Sequence, residues 1–204
     1  MKKLRLARLA GLVCLAGGVI QVIYGLFAIP FGPYASNTNF VWDEALWALA
    51  NVGMIGAILG LLLLDVARPR WLAVSGGLLA ILGHLIRIGA SLLLVRQPTW
   101  DPTAPILVSI LLMLLGMAAL GVAILLGKQL IGWWAWMPLL VPLFGFMTAA
   151  VYSINLYIHF ILLGLWGIPW LLVGYVVLTH AAQREKLGQN AASRTGTNPL
   201  PGLR

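Results

Sequence analysis

Residues 72–95 read LAVSGGLLAILGHLIRIGASLLLV. This stretch decides the fold, because an unbroken apolar run of such length is what a helix needs to cross about 30 Å of hydrocarbon at about 1.5 Å per residue. Membrane strands need only about 9 to 11 residues and alternate in polarity, which this run does not. It therefore predicts a transmembrane helix with two titratable interruptions, His84 and Arg87. An ionised side chain near the middle of the hydrocarbon costs roughly 2.5 to 3.5 kcal/mol on insertion scales, so Arg87 is expected to have a partner and a task.

Working outward, five more runs of similar character cover residues 7–29, 45–64, 105–126, 131–152 and 156–178. Of the 204 residues 61% are hydrophobic and only 9% charged, too few charges to clothe a soluble domain of this size. The expected class is an all-α, polytopic integral membrane protein, with six transmembrane helices in an up-and-down bundle over residues 1–182. A disordered tail is expected over 183–204, where Gln, Asn, Ser, Thr, Gly and Pro take over. Residues 30–44, with Pro30, Gly32, Pro33, Ser36 and Asn37, are expected to form the one long loop.

The net charge of +8 is a topology signal, because of where it lies. Lys2, Lys3, Arg5, Arg8, Arg68, Arg70, Lys128, Arg184, Lys186, Arg194 and Arg204 all fall on one side of a six-span chain. Arg96, Asp43, Glu44 and Asp101 fall on the other. The positive-inside rule then predicts cytoplasmic N- and C-termini in a plasma membrane, that of a bacterial inner membrane. Cations at span ends meet lipid phosphates, so the bilayer is the expected partner and nucleic acid is not. The opening Met-Lys-Lys-Leu-Arg resembles a secretory signal, but its apolar stretch is too long and lacks a small-x-small cleavage site, so it reads as a retained first span.

Small residues mark where helices should touch. In the third span Gly76, Ala80, Gly83, His84, Arg87 and Ser91 form one stripe, which should face protein, while Leu78, Leu82, Leu85 and Leu92 should face lipid. A weak repeat is visible at an offset of 63 residues, Gly53-Met54 and Trp71 recurring as Gly116-Met117 and Trp134.

The polar residues gather in depth. Gln21, Glu44, Asn51, His84, Arg87, Tyr152 and His159 point to one outer-half region and form the candidate ligand-binding set, with Glu44 or Asp43 as the partner of Arg87. A guanidinium presents a fork suited to a carboxylate or other anion. The alternative use of Arg87 is to tie helices together through one ion pair. His84 and His159 with a carboxylate have the ligand types of zinc but not its spacing, and their different depths argue against bis-histidine haem, so neither metal nor cofactor is expected. Pro138, Pro142 and Pro169 should kink the last two spans beside inward tryptophans.

In size and span count the chain looks like the substrate-binding membrane subunits of vitamin-uptake systems, a likeness of architecture that covers no motif. Three roles stay open: binding or transport of a small molecule through a pocket around Arg87, a structural or regulatory role through partner membrane proteins, and, third, an intramembrane enzyme. No catalytic motif supports the last, and the expectation is a non-enzyme.

Overall fold

The computed structural model describes residues 2–31, 37–97, 99–130, 132–152 and 154–195. It is 91% helix, with no strand among the described residues, and six of its helical stretches are long and apolar enough to span a membrane. The helices are α1 (Lys2–Phe31), α2 (Asn37–Leu64), α3 (Arg70–Arg96), α4 (Thr103–Gly127), α5 (Met137–Tyr152), α6 (Leu156–Leu165) and α7 (Gly167–Thr195). A short 3-10 helix, Gly132–Trp136, leads into α5.

Local chemistry sets the ends. Asp101 accepts a hydrogen bond from the backbone N–H of Thr103 at 2.9 Å in a local turn just ahead of α4, and Asn155 caps α6 by accepting from Ile158 N–H at 3.1 Å. Lys128 takes a left-handed φ of 51° and closes α4. The sixth span breaks at Trp166, three residues before Pro169, whose missing N–H is tolerated in the first turn of α7.

Two expectations need correcting. The expected loop over 30–44 is mostly helix: α1 runs to Phe31 and α2 begins at Asn37, leaving 32–36 outside the described residues. A run ends in hydropathy where charge begins, but Asp43 and Glu44 do not stop a helix, which continues past the apolar stretch. For the same reason α7 continues through Thr195, well into the expected tail; 196–204 lie outside the described residues.

The six spans close into a ring, each packed on its neighbours in chain order, with α6 and α7 returning to α1. Close approach depends on glycine. A Cβ on Gly53 would stand 2.5 Å from the Cα of Gly17, so α1 and α2 cross backbone to backbone, and Gly25 meets Gly164 likewise. The α3 stripe is buried in full, whereas Leu78, Leu82, Leu85 and Leu92 are exposed on the perimeter.

The 63-residue offset has structural content. Gly17 crosses Gly53 in the α1–α2 hairpin, and at the same offset Ala80 crosses Gly116 in the α3–α4 hairpin. Met54, Ala57 and Leu61 are buried in one hairpin as Met117, Leu120 and Ile124 are in the other, and Gln21 is sealed in α1 as His84 is in α3.

One end of the bundle gathers the termini. Arg8 Nη1 of α1 meets Glu185 Oε2 of α7 at 3.0 Å, while Arg184 donates to the carbonyl of Leu64 at 2.7 Å and to Gln129 Oε1 at 3.3 Å. This terminal half is filled by Trp170, Ile58, Leu61, Leu64, Leu120 and Ile124, all fully buried. The far half is not filled.

Candidate functional site

A cavity of about 770 Å³ occupies the far half, and all six spans contribute to its wall. Tyr24 comes from α1, Glu44 and Trp47 from α2, Arg87 and Leu94 from α3, Ile106, Leu107, Ile110 and Met113 from α4. Gly145, Thr148 and Tyr152 come from α5, and His159, Phe160 and Leu163 from α6, with Trp166 at the break before α7. Trp100 and Pro102 bring in the α3–α4 connection, next to Thr103 at the start of α4. The hairpin repeat runs through this wall: Tyr24, Glu44 and Trp47 stand at the offset of 63 from Arg87, Leu107 and Ile110.

Arg87 carries the polar part. Its Nη1 donates to Glu44 Oε2 at 3.1 Å, linking α3 to α2, and to Ser91 Oγ at 2.6 Å, one turn along its own helix. The side chains of Arg87 and Glu44 are 9% and 12% exposed, so the pair is desolvated enough that each charge depends on the other. The guanidinium carbon lies 5.2 Å from the ring centre of Trp47, which in turn tilts against Tyr24 at 5.2 Å. A cation over an indole face is a favourable pairing, strengthened by desolvation. The carboxylate that meets Arg87 is Glu44, and Asp43 stands beside it on the same turn.

Across the cavity His159 Nδ1 lies 2.9 Å from the carbonyl oxygen of Thr148. A carbonyl only accepts, so Nδ1 carries a proton and donates. Tyr152 stands edge-on to this imidazole at 4.9 Å. Trp166 Nε1 donates to the carbonyl of Val141 at 2.8 Å and ties the break in the sixth span to α5.

Of the seven candidate residues, Arg87, Glu44, Tyr152 and His159 line the cavity; His84, Asn51 and Gln21 do not. Those three are sealed between helices below it. Asn51 Nδ2 donates to the carbonyl of Trp47 at 2.8 Å, which turns its Oδ1 toward His84 Nδ1 at 2.7 Å. His84 is therefore protonated at Nδ1, and its Nε2 meets no partner among the described residues, as does Nε1 of Trp170, edge-on at 5.4 Å. Gln21 Nε2 donates to the carbonyl of Leu163 at 2.9 Å and joins α1 to α6. Three residues along a helix are a rise of about 4.5 Å, enough to put Arg87 in the cavity wall and His84 under it.

The α4 face of the wall escaped the sequence reading, because Ile106, Leu107 and Ile110 look like any lipid-facing residues in an apolar run. Ser109 on that helix is also buried, its hydroxyl donating to the carbonyl of Ile106 at 2.7 Å. Trp47 and Trp166 did carry a signal, as tryptophans placed deep in a span rather than at its ends. Among the described residues no three of His, Cys, Asp and Glu come together as a metal site would need.

Two carboxylates outside the spans are held below the usual carboxylate range: Asp65 by its hydrogen bonds from Arg68, and Asp101 by the hydroxyl and backbone N–H of Thr103.

Fold and site together define a class: an all-helical chain with six membrane-length apolar helices enclosing a mostly apolar cavity at one end. Compared with known proteins, the chain matches no family model, no curated sequence and no solved structure.

Proposed function

We propose that this is a non-enzymatic multi-pass membrane protein of a bacterial inner membrane that binds or moves a small molecule through the cavity beside Arg87. The observation that carries this reading is the cavity itself: about 770 Å³, walled largely by apolar side chains, with one charged pair set into it. Small-molecule sites span about 300 to 1,000 Å³ and have this composition, apolar surface with a few polar groups that fix orientation. The cations gather at the end that holds Arg8 and Arg184, so the positive-inside rule puts that end in the cytoplasm and the cavity in the outer half.

The test is thermal stability of the purified protein across a panel of small carboxylates, phosphates and vitamins, comparing the native chain with Arg87→Leu. A ligand at about a hundred times its Kd should stabilise the native protein by about 2.7 kcal/mol and leave the variant unmoved. If Arg87→Leu is equally stable and nothing shifts the native chain, the reading falls. A reporter fused to the C-terminus checks orientation, and activity outside the cytoplasm would overturn it.

One observation favours a second reading, in which the protein acts through partner membrane proteins. Both hydrogen bonds of Arg87 stay within the bundle, as a tie between α2 and α3 would. Under that reading Arg87→Leu loosens the bundle and no ligand changes its stability.

A further inference from the structure

The ion pair in the cavity wall narrows the chemistry of the occupant, an inference that rests on the small-molecule reading above. Both hydrogen bonds of Arg87 use Nη1. Among the described residues no acceptor meets its Nε or Nη2, and no donor meets Oε1 of Glu44, whose Oε2 faces Arg87. None of these three atoms belongs to the polar atoms sealed away without a partner, and both side chains form part of the cavity wall. The wall thus offers a donor fork directly beside an acceptor.

Electrostatics then discriminates among occupants. Arg87 supplies one cation to the wall and Glu44 one anion, and the two offset each other. A lone carboxylate on the fork would set two negative groups against one guanidinium; a lone ammonium on Glu44 would set two positive groups against one carboxylate. Either leaves a net charge in low-dielectric surroundings, where an uncompensated charge costs several kcal/mol. A molecule with both charges a few bonds apart keeps the total at zero and extends the pair into an alternating array. The rest of the cavity, Ile110, Met113, Phe160, Leu163 and Trp166, has an apolar surface to offer.

We propose that the cavity takes amphipathic zwitterions: an oxyanion on Nε and Nη2 of Arg87, an ammonium on Oε1 of Glu44, and an apolar body on the α4–α6 wall. Free amino acids with large apolar side chains and lipids with zwitterionic headgroups share this chemistry.

The experiment uses the full chain in phosphatidylglycerol nanodiscs, which supply no zwitterionic headgroup, with empty nanodiscs as blank. Three probes share one dodecyl body: N-dodecyl-N,N-dimethylglycine, dodecanoate and dodecyltrimethylammonium, each below its micellar concentration. Calorimetric titration is run at about pH 8, where an ordinary imidazole is neutral. The zwitterion should bind at least about tenfold more tightly than either ion. L-phenylalanine and lysophosphatidylcholine, titrated in parallel, tell the amino acid from the lipid source, and binding of either supports the assignment. Glu44→Gln should reverse the preference, dodecanoate then outranking the zwitterion. Dodecanoate binding the native chain as tightly as the zwitterion, or an unchanged ranking in Glu44→Gln, overturns the zwitterion and leaves the small-molecule reading standing. If none of the five probes binds and the wider ligand panel is also silent, both readings fall together.

Discussion

The two halves of this bundle are built from the same six spans and similar residues, yet one is filled by fully buried side chains and the other encloses a cavity. In the terminal half, Ile58, Leu61, Leu120, Ile124 and Trp170 meet in the middle with no exposure to speak of. In the far half, the continuations of the same helices place Trp47, Ile110, Phe160 and Leu163 around a cavity of about 770 Å³. Two local features separate them. The sixth span breaks at Trp166, which lines the cavity, and Pro142 removes a backbone donor from the interior of α5. The far half also holds the Arg87–Glu44 pair, two bulky groups that need each other and cannot be buried among leucines. Composition alone does not separate the packed half of such a protein from the half that encloses a cavity.

The contrast can be broken most severely at the glycine crossings. Gly53→Leu drives a side chain into the backbone of α1 at Gly17, and the expected outcome is loss of the monodisperse peak in size-exclusion chromatography. Gly89→Leu, where an added Cβ meets nothing within 4 Å, should elute as the native protein does. Next comes the ion pair. Glu44→Gln and Arg87→Leu should each lower stability by about 3 to 5 kcal/mol, and the double variant by clearly less than the sum, measured by thermal melts in detergent. An additive pair would mean the two charges do not depend on each other.

Truncation sharpens the comparison. Leu120→Ala, in the filled half, should cost about 2 to 5 kcal/mol, because it opens a new cavity. Ile110→Ala enlarges a cavity already present and should cost clearly less; equal losses would say that the far half is packed too. The smallest effect is expected at the exposed surface. The hydrogen bonds from Arg68 hold Asp65 below its usual range, so what they contribute is fully present above the unfolded value of about pH 3.9 and disappears as pH falls through the lower folded value. Asp65→Asn should therefore produce a barely measurable, salt-sensitive change in Tm at neutral pH and none in acid.

Much of the fold was legible in residues 72–95 and their five counterparts, since length and hydropathy set the spans and the buried stripe of α3 can be read from its small residues. Helix ends were less legible: hydropathy falls at Asp43 and Gln183, but helical hydrogen bonding continues past both, because polar residues are compatible with helix outside the apolar layer. Of the site, Arg87, Glu44, Tyr152 and His159 stood out because polar side chains in an oily run are conspicuous. Ile106, Leu107 and Ile110 did not, since an apolar residue facing a cavity looks like one facing lipid. His84, Asn51 and Gln21 were conspicuous for the same reason as Arg87 and serve instead to join helices below the cavity.

By itself, then, the sequence determined six apolar helices, their order, the segregation of charge between the two ends and the need of Arg87 for a partner, because each follows from local composition and the cost of a charge in hydrocarbon. Tertiary structure alone decided that the partner is Glu44, that a cavity lies beside the pair, and that His84 stays outside it. Those outcomes depend on helix rotation, kinks and crossings, which are set by contacts between residues far apart in the chain.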